Sequence, residues 1–180
     1  TVGPDKLTSE QLLAKMESGS KPTTSQINVG QFEDVFRQYA QEGTAVLYVA
    51  FASALSGTYQ SAVMAREMVL EDYPKAIITI LDTKAASMGE GLLVMKAVEA
   101  RAAGQSLEQT ADLLQSLVPR VNTYFLVDDL NHLMRGGRIS KAAALMGSLV
   151  NIKPIIAVTA DGSLDSVAKV RGKKKAQAEV

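Results

Sequence analysis

Two apolar runs constrain the fold of this chain more than any other feature. "TAVLYVAF" (residues 44–51) and "KAIITILDT" (residues 75–83) are rich in Val, Ile and Leu and lack an alternation of apolar with polar residues. A strand with one face in water alternates; a strand covered on both faces does not, and such strands belong to parallel sheets flanked by helices. The segment between them, "SGTYQSAVMAREMVLEDY", has helical character and meets Pro74 at its exit. Strand, helix and strand in this order predict a βαβ unit.

The neighbouring helices announce themselves by their ends. Thr8 with Gln11, Asn28 with Gln31 and Ser106 with Gln109 each have the spacing of a capping box, and Gly19 and Gly43 follow the first two helices as stops. The second helix has an apolar face of Val29, Phe32, Val35, Phe36 and Tyr39. "KAASMGEG" leads from the second strand into another helix, "GLLVMKAVEARAAG", and the glycines of "MGEG" are expected to form a tight strand-to-helix turn.

The pattern changes near residue 121. "VNTYFLVDDL" holds a shorter strand, then come a helical turn, "RGGRIS", and a small Ala-rich helix, "KAAALMG". "IKPIIAVTADGSLDSVAKV" predicts two strands around the turn Ala160-Asp161-Gly162-Ser163, and a hairpin belongs to an antiparallel sheet. The expected fold class is therefore α/β, a parallel sheet flanked by helices, followed by part of a second α+β domain with antiparallel strands. The boundary is placed at 120, giving an α/β domain over 1–120 and a partial second domain over 121–180. "KKKAQAEV" begins a helix, and both ends of the chain suggest a fragment.

Composition narrows the functional classes. Lys plus Arg and Asp plus Glu both number 19, and this charge balance argues against a general nucleic-acid binder. The absence of cysteine excludes disulfides and thiolate metal sites and fits a reducing cytoplasm. No apolar run reaches membrane-spanning length and the first residues lack a signal-peptide core, so the expectation is a soluble, cytoplasmic protein.

Most catalytic signatures fail. There is no G-x-S-x-G around Ser56, and the single histidine, His132, is expected to be a partly buried polar residue beside a strand end. "MGEGLLV" has Val94 where a dinucleotide fingerprint needs its third small residue, and "RGKKK" lacks the hydroxyl and upstream glycine of a phosphate-binding P-loop. Asp82, Asp128 and Asp129 have no metal-ligand spacing, and turn or capping roles suffice for them. Two stretches remain. "KPTTSQ" carries Thr23, Thr24 and Ser25 in a loop whose following helix is already capped by Asn28. "SALSGTY" sets Ser56 at a candidate N-cap, with Gly57 allowing close approach of a ligand and Thr58 adding a second hydroxyl. Hydroxyls and free N–H groups at a helix start favour an anion, and the carboxyl end of a parallel strand is where open sheets bind ligands.

"PTTSQ", "ALSGTYQSA", "LNHLMRGGRIS" and "NIKPIIAV…DGSL…KVRGKKKA" follow one another as in the DegV family, and the chain resembles that family over nearly its whole length. The resemblance implies a fatty-acid-binding protein, like the subunit of bacterial fatty acid kinase that carries an acyl chain and presents its carboxylate to a partner kinase. By that resemblance Thr24 and Ser56, with Gly57 and Thr58, hold the carboxylate, and Arg171 in "KVRG" lies near the head group. Arg135 and Arg138 in "RGGRIS" match positions that dock the kinase. No cofactor and no catalysis by the chain itself are implied; the partners are a long-chain fatty acid and the ATP-binding kinase subunit, with peripheral membrane contact during lipid exchange. The family's opening strand with an Asp-Ser pair and its later histidine have no counterpart in these residues, and "TSQIN" replaces the common "TSQP".

The residues themselves suit such a ligand. Hydroxyls and helix-start N–H groups give charge-assisted bonds to a carboxylate, and each buried methylene of a tail adds about 0.8 kcal/mol. Met64, Met68, Val69, Leu92, Leu93 and Met95 are candidates to line a tunnel, with ordinary core positions the reading favoured for most of them. Two alternatives stay open: a hydrolase or acyl- or phosphoryl-transfer enzyme using Ser56, and an inert structural fragment.

Overall fold

The computed structural model describes residues 7–127, 130–139 and 152–180. The Ala-rich segment at 141–147 and Asp128 and Asp129 lie outside the described residues. In chain order the elements are α1 (Ser9–Glu17), α2 (Val29–Gln41), β1 (Val46–Ala50), α3 (Thr58–Asp72), β2 (Ile78–Asp82), α4 (Met88–Ala102) and α5 (Leu107–Leu117). A short 3₁₀ turn, Val118–Arg120, leads to β3 (Tyr124–Leu126), α6 (Asn131–Arg135), β4 (Ile152–Val158), β5 (Leu164–Arg171) and α7 (Lys173–Glu179).

β1 and β2 pair in parallel, Val46 against Ile78 through Ala50 against Asp82, with α3 as the crossover between them. Alternate residues of the strands feed two cores. On one face Val46, Tyr48 and Ile78 pack with Phe32 and Phe36 of α2 and with Ala62, Ala65 and Val69 of α3. On the other, Leu47, Val49 and Leu81 pack with Leu93 of α4 and with Leu114 and Val118. Burial of these side chains contributes about 1.5–3 kcal/mol each for the larger ones, more than the helix propensities of the segments supply.

The second sheet is antiparallel, in the order β3-β4-β5. Pro154, in the central strand, pairs with Lys169 of β5 and lies beyond the three residues that β3 pairs, so its missing N–H breaks no β3 bond. Ile156 is fully buried among Leu130, Ile139, Phe125 and Leu164. The hairpin turns where predicted, with Gly162 at φ +91°, a backbone conformation that suits glycine. Hydroxyls of Thr159 and Ser163 bond to the Asp161 carboxylate and hold its pKa below the ordinary value.

All three predicted capping boxes form: the hydroxyl or amide oxygen of Thr8, Asn28 and Ser106 accepts the N–H of the glutamine three residues on, whose side chain answers to the cap's own N–H. Several local expectations are corrected. Val35 and Tyr39 are exposed rather than part of the α2 core face, because Phe32 and Phe36, with Val29 and Ala40 beside them, make up the face that packs into the core. "MGEG" is not a connecting turn; it is the first turn of α4. His132 is exposed on α6 rather than partly buried.

Candidate functional site

The carboxyl ends of β1 and β2 are knitted together before the helices begin. The buried Thr83 hydroxyl donates to the Ala50 carbonyl at 2.7 Å, and the Ala52 N–H donates to the Ala85 carbonyl at 2.9 Å. Asp82 spans the two ends: its carboxylate accepts the Ser53 hydroxyl at 2.6 Å, the Ser53 N–H at 3.2 Å and the Lys84 N–H at 3.0 Å. The turn role expected for Asp82 is thus a bridge between strand ends. Lys84 and Ser87 both have positive φ, 48° and 53°, which costs energy for residues with a Cβ; at Lys84 the bond from its N–H to Asp82 holds the backbone.

On this floor the chain makes one tight turn, with the N–H groups of Leu55 and Ser56 both donating to the Ala52 carbonyl. The turn delays the helix, so the N-cap is Gly57 and not Ser56, the position predicted for it. The Ser56 hydroxyl instead accepts the Thr58 N–H at 3.2 Å and lies 2.9 Å from the Thr58 hydroxyl. Two hydroxyl protons share one mutual bond, so one O–H remains to be donated outward. The N–H groups of Tyr59 and Gln60 find no acceptor among the described residues, as expected for a helix start without a side-chain cap.

The second hydroxyl-rich stretch lies against this same turn. The Ile27 N–H donates to the Thr58 hydroxyl at 3.3 Å, and the Gln26 amide donates to the Ser61 hydroxyl at 3.3 Å. Gln26 also explains Gly57: a Cβ there would lie 2.1 Å from the Gln26 side-chain oxygen. Gln26 thus approaches Gly57 closely from the loop that bears Thr24. Thr24, two residues earlier, is exposed, and its hydroxyl is engaged by none of the described residues.

The remaining candidates fall elsewhere. Arg171 is exposed at the end of β5, paired in register with Ile152, and makes no hydrogen bond to Ser56 or Thr24. Arg135 is exposed at the end of α6, whereas Arg138 is half-buried and donates from Nε to the Leu55 carbonyl at 3.1 Å. Of the six tunnel candidates, Val69 and Leu93 are ordinary core. Met64, Met68, Leu92 and Met95 are 47%, 41%, 53% and 59% exposed, because α3 and α4 turn Ala62, Ala65, Val69 and Leu93 inward instead. A cavity of about 420 Å³, lined by Ala40, Gly43, Thr44, Tyr73, Pro74 and Ile77, lies at the opposite ends of the strands from Ser56. Among the described residues no cluster of His, Asp and Glu could hold a metal ion, and no helix is long and apolar enough to cross a membrane.

Gln26, Ser53 and Asp82 are the residues that sequence reasoning passed over as parts of the site. The available signal was an acid at the end of one predicted strand and a serine just past the end of the other.

Comparisons with known proteins agree with this architecture. The family model described as "Uncharacterised protein, DegV family" matches residues 2–180. A DegV domain-containing protein of Streptococcus pyogenes serotype M1 is 56% identical over 180 residues, which are 100% of this chain and 63% of that protein. The chain thus spans about 63% of the length of the curated relative it matches. A stearic-acid-binding protein from Eubacterium ventriosum superimposes with a TM-score of 0.87 at 30% identity, covering 97% of this chain and 60% of that one. The fatty acid kinase B3 protein of Streptococcus pneumoniae, solved with linoleic acid, gives a TM-score of 0.82 at 25% identity, with 94% and 60% covered.

Proposed function

The chain belongs to the DegV family, and from that premise we propose that it binds a long-chain fatty acid and presents the carboxylate to a partner kinase. The observation that carries this reading is the uncapped start of α3. There Ser56 and Thr58 keep one hydroxyl proton for an outside acceptor, next to two N–H groups that have no acceptor among the described residues and the loop that bears Thr24. Each such donor aimed at a carboxylate makes a charge-assisted bond, roughly twice as strong as a neutral one. The macrodipole of the fifteen-residue α3 adds partial positive charge at the same end.

In this reading Ser56, Gly57, Thr58 and Thr24 form the head-group site, and Arg171 contributes charge from β5. Arg135 and Arg138 bring the kinase to the turn after α6. The chain supplies no nucleophile or base of its own: it holds a carboxylate oxygen in place for phosphoryl transfer from ATP on the partner. Likeness to a stearic-acid-binding protein and to a fatty acid kinase B3 protein supports both halves.

Organic-solvent extraction of the purified protein followed by mass spectrometry tests the ligand. Thermal melting with oleate tests binding independently: at a hundredfold excess over Kd the native state gains about 2.7 kcal/mol, or roughly 5–10 °C for a chain of this size. A protein that yields no long-chain carboxylate and whose midpoint ignores oleate rejects the proposal. Turnover of an ester by the isolated protein, lost in Ser56→Ala, would favour an enzyme instead.

A further inference from the structure

Arg138 reaches the head-group loop from the antiparallel sheet. Three backbone bonds close the turn after α6: the N–H groups of Gly136, Gly137 and Arg138 donate to the carbonyls of His132, Met134 and Leu133. Gly137, at φ +74°, reverses the chain, and Ile139 anchors it in the core beside Leu130 and Ile156. The Arg138 side chain then runs back over the turn, bonding to the Gly136 carbonyl as well as donating from Nε to Leu55 at 3.1 Å.

The carbonyl that it takes matters. Leu55 is buried and immediately precedes Ser56. In a continuous helix the Leu55 carbonyl would accept the Tyr59 N–H. With the guanidinium on it, that carbonyl is engaged, and the Tyr59 N–H has no acceptor among the described residues. A second brace comes from the same sheet: at the hairpin tip, a Cβ on Gly162 would come within 3.1 Å of the Lys84 Cα and 3.3 Å of the Ala52 Cβ. The tip and Arg138 thus meet the 52–55 turn at its two ends.

We propose that Arg138 is a positioning residue, which fixes the Ser56 loop through the Leu55 carbonyl and ties it to the Arg135–Gly136–Gly137 turn. The inference rests on the fatty-acid reading and adds to it. Whatever engages the turn at the exposed Arg135 is mechanically joined, through three residues and one guanidinium, to the loop that holds the head group. A partner on that turn and a ligand on Ser56 therefore affect one another's affinity, and by linkage the effect is reciprocal.

The test uses amide hydrogen exchange of the ligand-free protein together with oleate affinity, in Arg138→Met, Arg138→Lys and the distant control Arg101→Met. Arg138→Met keeps the alkyl stem and loses the donor. Its amides over 52–60 should exchange about fivefold faster, with those of α5 unchanged, and oleate affinity should fall about tenfold. Arg138→Lys, which can still donate to a carbonyl, should recover most of the protection, and Arg101→Met should alter neither readout. Unchanged exchange over 52–60 in a folded Arg138→Met protein overturns the proposal. If Arg138→Met loosens α5 equally, Arg138→Lys decides: protection like that of the wild type supports the tether, and a loosened loop without recovery refutes a donor role. Faster loop exchange in Arg138→Met, when the wild-type protein takes up no oleate, would leave the tether standing and remove the fatty-acid reading.

Discussion

The first five helices start in two different ways. α1, α2 and α5 follow loops and close their own ends, with Thr8, Asn28 and Ser106 as caps and a glutamine completing each box. α3 and α4 follow the two parallel strands and have no side-chain cap: Gly57 has no side chain to offer, and Ser87, at φ +53°, does not make the bond. A chain that caps three helices so fully has no shortage of capping residues. The starts without a side-chain cap coincide with the carboxyl ends of β1 and β2, and at α3 the N–H groups of Tyr59 and Gln60 have no acceptor among the described residues. The difference separates helix starts closed by their own side chains from helix starts held by packing.

That contrast can be broken most directly at Ser56. If its hydroxyl serves a ligand, Ser56→Ala should weaken oleate binding about 10- to 100-fold, the worth of one or two charge-assisted bonds, while the melting midpoint moves little. A titration with a displaceable fluorescent fatty acid measures it; loss of stability without loss of affinity would make Ser56 an ordinary cap.

At the α4 start, packing replaces the cap. A Cβ on Gly89 would lie 2.5 Å from the Thr123 hydroxyl and 3.4 Å from Ala85 and Val121. Gly89→Ala should therefore cost about 1–3 kcal/mol by denaturant unfolding, despite the better helix propensity of alanine. Ser106→Ala, at a capped start, should cost about 1 kcal/mol and leave oleate affinity unaltered, as unfolding and titration of the same sample would report.

The smallest expected effect concerns Glu90, in the first turn of α4. The helix dipole there favours a carboxylate, yet burial dominates and raises the Glu90 pKa. A carboxyl raised in the folded state contributes stability that is complete below its unfolded pKa and is lost as pH rises through the folded one. Glu90→Gln should thus raise the midpoint by about 1–2 °C at neutral pH, with the gain vanishing in acid below the ordinary glutamate range. A gain that persisted in acid would deny the buried-charge explanation.

Legibility in the sequence followed the reach of each interaction. The capping boxes could be read because cap and partner are three residues apart, and the parallel pairing of β1 and β2 because two unalternated apolar runs flank a helix. The hairpin was legible in Asp161-Gly162 between two runs of strand-forming residues. Misreadings arose where one residue type serves two roles. Ser56 has the composition of an N-cap, but the extra turn on the Ala52 carbonyl moves the cap to Gly57. Met64 and Leu92 look like core in a helical repeat, yet Ala62, Ala65 and Leu93 occupy the inward positions.

Sequence alone determined the three capped helix starts, the two parallel strands and the hairpin, because those signals are hydrogen bonds and apolar periods that close within a turn or a strand. Only the tertiary structure decided that Ile27 meets Thr58, that Gln26 covers Gly57 and that Arg138 reaches Leu55, pairs 31, 31 and 83 residues apart. Contacts of that span depend on how whole layers pack against one another, and no local pattern of residues encodes the packing geometry that brings them within bonding distance.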